Sequence, residues 1–245
     1  MPDAALWIHA PVGVAVGLVG SLIGVGGGFF VVPYLLFFFG YKPDAATAAS
    51  LGIVLLNALS ATASNALRKR IDWKVGTILA VGSLPTAWLG RVVIGRLTAK
   101  AFSYSFAALL TGIALYLVLV RLKPGKGALR GFPRELVDAD GQSHRYEVNL
   151  PAAVVVSLVV GLVSSLFGVG GGLILVPFMV MAYGTPTVVA TATSQYTFLF
   201  TAIVGLIEAV RQGQTTAAGW QVVGSMGVGV IVGAQLGVAL AKRVR

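Results

Sequence analysis

No cysteine occurs in the 245 residues, which excludes a disulfide framework, a zinc ribbon, an iron–sulfur cluster or a thiol nucleophile. Histidine is nearly absent, and His9 and His144 are too few and too far apart to form a metal constellation. Charge is scarce as well, at 11% of residues against about 25% in an ordinary domain. No Asp, Glu, Lys or Arg falls between Ala4 and Tyr41, Ala45 and Leu67, Ala101 and Val120, or Val148 and Ile207. The last gap is 60 residues long. As one helix it would run ~90 Å, about three times the hydrocarbon thickness of a bilayer, so it must fold back inside the membrane. The net charge of +10 sits in short clusters between apolar runs, the pattern of cytoplasmic loops, so the lipid bilayer is the expected partner and nucleic acid is not. The Met-Pro-Asp start is not basic and no small-residue cleavage site follows it, so no removable signal peptide is expected.

What the chain does have is apolar residues, at 57%, and 32 glycines. The apolar runs cover approximately Ala10–Phe39, Ala45–Leu67, Val75–Val93, Ala101–Val120, Leu150–Ala182, Val188–Val210 and Trp220–Ala241. Several are long enough to cross a membrane. Arg121–Asn149, with Pro124-Gly-Lys-Gly and Asp138-Ala-Asp-Gly, reads as a polar linker between two halves.

A shift of 144 residues lays Gly17-Leu-Val-Gly-Ser-Leu-Ile-Gly-Val-Gly-Gly-Gly28 over Gly161-Leu-Val-Ser-Ser-Leu-Phe-Gly-Val-Gly-Gly-Gly172. Pro33 then falls on Pro177, Gly40 on Gly184, Thr47 on Thr191 and Ser50 on Ser194; 17 of the 34 positions from Gly17 to Ser50 are identical. Shared apolar composition would not place Gly, Pro, Thr and Ser in register. A shift of 147 continues the match, with Trp73 over Trp220, Gly82 over Gly229 and Gly90 over Gly237. The expectation is an all-α polytopic membrane protein of two homologous repeats, residues 1–120 and 150–245, joined by the linker 121–149. The run Ala101–Val120 has no counterpart before Lys242-Arg-Val-Arg245, so a last helix is expected to be missing from the second copy.

Each copy opens with about thirty apolar residues, interrupted by Gly26-Gly27-Gly28 or Gly170-Gly171-Gly172. Three consecutive glycines weaken a helix by roughly 1 kcal/mol each relative to alanine. Pro33 and Pro177 follow five residues on, where they disfavour continued helix and suit the first turn of a new one. The expected form is half-helix, unwound bridge, half-helix, or a re-entrant hairpin. Bare backbone at membrane depth survives only where protein buries it or it lines a polar cavity, and backbone amides beside a helix N-terminus suit a small anion. The candidate substrate-binding residues are therefore Gly24, Gly26, Gly27, Gly28 and Ser21, with Thr47 and Ser50 on one face of the next helix. Their copies are Gly168, Gly170, Gly171, Gly172, Ser165, Thr191 and Ser194. Gln195 and Asn57 add amide groups nearby.

A simpler account exists for single residues, because Gly13, Gly17, Gly20, Gly24 and Gly28 also follow the small-residue spacing of packed membrane helices. A dinucleotide fingerprint fails: Asp44 lies twenty residues after Gly24, but Phe29 occupies the third glycine position and Val188 stands where the second copy needs its acid. A phosphate loop fails for want of a following Lys-Ser or Lys-Thr.

If all seven runs cross, Lys and Arg divide 11 to 7 between the two sides; if both glycine-broken runs are re-entrant hairpins, they divide 13 to 5. The hairpin arrangement fits the positive-inside rule better. It leaves three crossings after the first hairpin, so the second copy enters from the opposite face, giving inverted repeats.

At Gly24-Val-Gly-Gly-Gly28 with Pro33, Gly168-Val-Gly-Gly-Gly172 with Pro177, and the Ala-Thr-x-x-Ser stretches ending at Ser50 and Ser194, the chain resembles the TauE/SafE family of sulfite exporters. The resemblance covers nearly the whole chain. It implies a cell-membrane permease for sulfite, thiosulfate or organosulfonates, with both motif regions near the permeation path. Alternating access between the repeats is the expected mechanism, and a passive anion channel is the alternative. No enzyme activity, cofactor or metal is expected, because the deep segments offer hydroxyls without a His, Asp or Lys to activate them. Proton or sodium coupling stays open. Glu208 beside Arg211 is read as interfacial, and Arg91 as an anion attractor or a snorkelling side chain.

Overall fold

The computed structural model describes residues 4–119 and 129–241. The linker's Pro124-Gly-Lys-Gly stretch and the terminal Lys242-Arg-Val-Arg245 lie outside the described residues.

The first copy begins with α1 (Ala4–Ile23), a glycine bridge, and α2 (Gly28–Phe39). Here α2 doubles back along α1. His9 Nδ1, near the start of α1, lies 3.0 Å from the Tyr34 hydroxyl, and the His9 and Phe39 rings are 5.0 Å apart. The pair is thus a helical hairpin rather than one continuous helix. Pro33 is tolerated in the second turn of α2, and Gly40 ends that helix with a left-handed φ of 65°. Pro43 then opens α3 (Pro43–Leu67), with Asp44 in its first turn. A tight reversal leads to α4 (Trp73–Ile94), capped by Asp72, whose carboxylate accepts from the Val75 amide at 3.1 Å. The next helix, α5 (Ala99–Leu119), stacks Phe102 and Phe106 against Phe167.

The second copy repeats this order as α6 (Leu150–Phe167), α7 (Gly172–Ala182), α8 (Thr187–Arg211) and α9 (Ala217–Leu240). Both ends of α8 fall 144 residues after those of α3. Five helices, α3, α4, α6, α8 and α9, are long and apolar enough to cross a membrane.

The two copies interlock. Along α1, Gly13 and Gly17 meet Met226 and Val230 of α9, while Gly229, Gly233 and Gly237 of α9 meet Ala10, Val14 and Leu18. Residue numbers rise together, so the two helices run in the same direction. The same holds for α4 and α6, where Gly82 meets Ser157 and Gly90 meets Leu162 and Ser165. At Gly17 a Cβ would lie 2.3 Å from the Val230 carbonyl oxygen, so packing explains this part of the glycine row. The first helix of each copy therefore packs on the fourth helix of the other.

Residues 129–149 depart from the reading as a plain linker. They contain an antiparallel hairpin, β1 (Phe132–Val137) and β2 (Ser143–Val148), in register from Phe132↔Val148 to Val137↔Ser143. It is ordered because one face is apolar: Tyr146 and Val148 are buried, and Leu129, Phe132 and Leu136 pack on the same core as Ala182 and Tyr183. The hairpin also grips the α3–α4 turn. Arg134 donates to both oxygens of Asp72 at 2.9 and 2.7 Å, the Tyr146 hydroxyl donates to Asp72, and the Ala139 amide donates to the Arg68 carbonyl at 3.0 Å. Burial alone would raise the Asp72 pKa, but the Arg134 and Tyr146 hydrogen bonds outweigh it and hold the carboxyl below the usual range.

Candidate functional site

The two bridges meet face to face and are buried throughout. A Cβ on Gly28 would fall 2.1 Å from the Gly168 carbonyl oxygen, and one on Gly172 would fall 2.0 Å from that of Gly24. Only glycine permits this approach, and Gly26 and Gly27, at φ 83° and 81°, need it for their backbone angles too. Next to the bridges, the serines of the following helices cross between copies. Ser50 Oγ donates to the Gly168 carbonyl at 2.6 Å, and Ser194 Oγ donates to the Gly24 carbonyl at 3.0 Å. Gln195 Nε2 donates to the Gly20 carbonyl at 3.1 Å. Seven candidate positions (Gly24, Gly28, Ser50, Gly168, Gly172, Ser194 and Gln195) thus converge on one crossing. Gly26 and Gly170 lie against Val54 beside it, whereas Gly27 and Gly171 turn outward onto Val16 and Val160.

Two features differ from the expectation of bare amides and free hydroxyls. The amides of Gly24, Val25 and Gly26 all return to the Gly20 carbonyl, at 3.0, 2.8 and 3.3 Å, the first continuing the helical ladder and the other two sharing its acceptor as the helix ends. The Ser50 and Ser194 hydroxyls are spent on carbonyls of the opposite bridge. Other polar atoms remain unmatched. Asn57 Nδ2, Gln195 Oε1 and Ser165 Oγ are buried without a hydrogen-bond partner, although Ser21 Oγ donates to Asn57 Oδ1 at 2.9 Å. Such groups normally have a protein or solvent partner, so their clustering here marks a place where polar matter can enter.

Thr47 and Thr191 occupy equivalent positions beside the crossing but differ in company. Thr47 lies against Gly168, and its hydroxyl donates to the Pro43 and Asp44 carbonyls at 2.8 and 3.0 Å while accepting from Arg91 Nη1 at 2.9 Å. Thr191 lies against Gly24 and lines a cavity.

Sequence reasoning undervalued Arg91. It does not snorkel: the side chain is fully buried in α4, donating through Nη2 to the Asp44 carbonyl at 3.3 Å and to Gln214. Among the described residues no carboxylate lies within salt-bridge distance of it, and Nε has no partner. Its direct partners are all neutral oxygens, and the carboxylates of Asp44 and Glu208 act on it only from beyond contact distance. The signal was a lone arginine in the apolar run Val75–Val93. Glu208 is likewise more buried than an interfacial residue, held by Gln212 Nε2 at 2.8 Å and by Arg211 at 3.7 Å. Among the described residues no group of three metal-ligating side chains occurs.

The sequence has relatives among known proteins. The profile of the family described as sulfite exporter TauE/SafE matches residues 9–245. A probable membrane transporter protein of Bacillus subtilis, YunE, is 30% identical over 241 residues, covering 95% of this chain and 87% of its own. Another probable membrane transporter protein, from Methanocaldococcus jannaschii, is 31% identical over 202 residues, 80% of this chain and 69% of its own. A third, from Xylella fastidiosa, is 26% identical over 232 residues, 93% and 82% of the two chains. No solved structure gives a significant match. With the doubled glycine motif, the apolar spans and a family match over nearly its whole length, the chain belongs to the TauE/SafE sulfite exporter family and is a multi-pass membrane transporter.

Proposed function

We propose that the protein carries small sulfur-containing oxyanions, such as sulfite, thiosulfate or organosulfonates, by alternating access between two repeats inverted across the bilayer. The solute passes the crossing of the bridges Gly24–Gly28 and Gly168–Gly172. There Ser21, Thr47, Ser50 and their copies Ser165, Thr191 and Ser194, together with Gln195, supply donors, and Arg91 supplies positive charge. The observation that carries this reading is the crossing itself: two glycine bridges in backbone contact, with unmatched buried polar atoms on either side. Same-direction packing of α1 with α9 and of α4 with α6 is what two oppositely oriented copies would produce, and it agrees with the 13 to 5 distribution of basic residues. The carriage of an anion fits the family's description and the buried cation.

Alternating access requires the cross-copy bonds to exchange. A solute oxygen would take the place of the Gly168 or Gly24 carbonyl as acceptor of the Ser50 or Ser194 hydroxyl, loosening one bridge from the other. The test is uptake of radiolabelled sulfite, thiosulfate and taurine into proteoliposomes. Saturable flux, stimulated by the same anion inside the vesicle, supports the reading. Flux that rises linearly with concentration, without exchange stimulation, would make the protein a channel. A proton or sodium gradient applied in the same vesicles identifies the coupling ion.

A further inference from the structure

The pseudo-symmetry of the fold pairs the Arg91 cluster with a second place on the opposite side of the crossing. Gly90 and Gly237 meet equivalent partners, Leu162, Leu166 and Ser165 in one case and Leu18, Leu22 and Ser21 in the other, so the structural equivalent of Arg91 is Val238. Valine cannot fill the volume of an arginine. A cavity of about 100 Å³ is found there, lined by Ser21, Asn65, Arg70, Thr187, Thr191 and Val238. At roughly 30 Å³ per water it has room for about three waters, the scale of a small tetrahedral or pyramidal oxyanion.

An arginine reaches this cavity from elsewhere. The α3 helix ends in a turn in which the Arg70 amide donates back to the Asn65 carbonyl at 3.1 Å, with Lys69 in the left-handed region at φ 52°. The α8 helix ends in the same turn, with Gly213 at φ 66° and the Gln214 amide donating to the Ala209 carbonyl at 2.9 Å. Both turns direct a side chain inward. In the second copy it is Gln214, which meets Arg91; in the first it is Arg70, which meets open space. Arg70 is 3% exposed, and its Nε and Nη1 have no partner among the described residues. Among the described residues the Asn65 side chain and the Thr191 hydroxyl have no hydrogen-bond partner either, and both residues are buried. Guanidinium, carboxamide and hydroxyl donors around one small cavity, at the first turn of α8, form a set suited to an oxyanion. Among the described residues the acid in contact with Arg70 comes from the inter-repeat hairpin: Asp140 Oδ2 lies 3.4 Å from Nη2, with 37% of its side chain exposed.

We propose that Arg70, Asn65 and Thr191 form a second oxyanion-binding station, and that the Asp140 carboxylate of the hairpin competes with the solute for Arg70. The inference rests on the anion-carrier reading above and gives it a loading site on the basic side of the membrane. Arg70 releases Asp140 as the solute oxygen arrives, so the hairpin reports occupancy.

The test is calorimetric titration of the purified full chain in detergent with sulfite, thiosulfate, sulfate and phosphate, run beside the flux assay. Losing a hydrogen bond to a charged group corresponds to a loss of about 10-fold or more. Arg70→Gln should therefore weaken sulfite binding at least that much, and Arg70→Lys should restore part of it. Thr191→Val, close in shape and so expected to fold, should weaken binding by a smaller factor. Asp140→Asn should tighten binding by up to about 5-fold, the range of a half-exposed ion pair. Unchanged affinity in folded Arg70→Gln and Thr191→Val, or no anion binding by the wild type or Asp140→Asn, overturns the station. Absence of flux for every anion overturns the carrier reading instead, so the two failures are separable.

Discussion

Thr47 and Thr191 sit at matched places in two copies of one unit, and their surroundings have diverged in opposite ways. Around Thr47 every hydroxyl bond is made and Arg91 fills the space; around Thr191 the hydroxyl is free and a cavity remains. Among the described residues each side keeps a single buried arginine, drawn from the fourth helix on one side and from a helix-ending turn on the other. The difference teaches that the two copies bring a guanidinium to the two ends of the crossing from different positions, leaving one end sealed by Arg91 and the other open as a cavity.

The largest effect that would break this comparison is expected at the sealed end. Arg91→Leu strands Gln214, Thr47 and two carbonyls. By the scale of broken buried polar networks it should lower stability by about 3 kcal/mol or more, whereas Arg70→Gln, which leaves a cavity and a half-exposed carboxylate, should lower it by less than about 1 kcal/mol. Thermal unfolding in detergent measures both, and equal losses would contradict the assignment of one filled and one open end.

Next in size is the hairpin, whose Asp140 touches Arg70 at the open end. Asp72→Asn removes the charge that Arg134 grips at 2.7 Å and should destabilise docking by about 2 kcal/mol, seen as faster proteolysis between β1 and β2. The pH dependence has a defined sign. The folded-state pKa of Asp72 lies below its unfolded value, so this stabilisation is complete above about pH 4 and disappears as pH falls through the folded value. Proteolysis with an acid-active protease should show the hairpin loosening only below that range, and Asp72→Asn should abolish the transition.

Smaller still is the contrast between the threonines. Thr47→Val leaves Arg91 Nη1 only the Ser165 carbonyl at 3.5 Å in place of its 2.9 Å acceptor and should cost about 1 kcal/mol, whereas Thr191→Val should change unfolding by under about 0.5 kcal/mol. The smallest expected effect is that of Val238→Met. Filling the cavity should leave stability the same or raise it by up to about 1 kcal/mol while weakening sulfite binding, a combination that purely structural roles for these residues would not produce.

Much of this architecture was legible in the sequence, for identifiable reasons. Glycine, proline, threonine and serine recur in register because the bridges need absent Cβ atoms and the next helices need hydroxyls at fixed depth. The change of shift from 144 to 147 reflects α9 beginning about one turn before its counterpart, and it is what places Val238, rather than Gln235, opposite Arg91. The hairpin was missed because Arg121–Asn149 was judged by polarity, although Phe132, Arg134 and Leu136 alternate and Asp140-Gly141 marks a turn. The roles of the two arginines were less legible for another reason, although Arg91 stands out as the lone charge in Val75–Val93. Whether a cation beside an apolar run is solvated or enclosed depends on which helix from the other copy lies over it, and no local pattern records that.

The interlocking of first and fourth helices carries a consequence for assembly. Severed at the linker, neither half would keep the surface on which its first and fourth helices are buried, so the two copies are expected to reach a stable fold only in each other's presence.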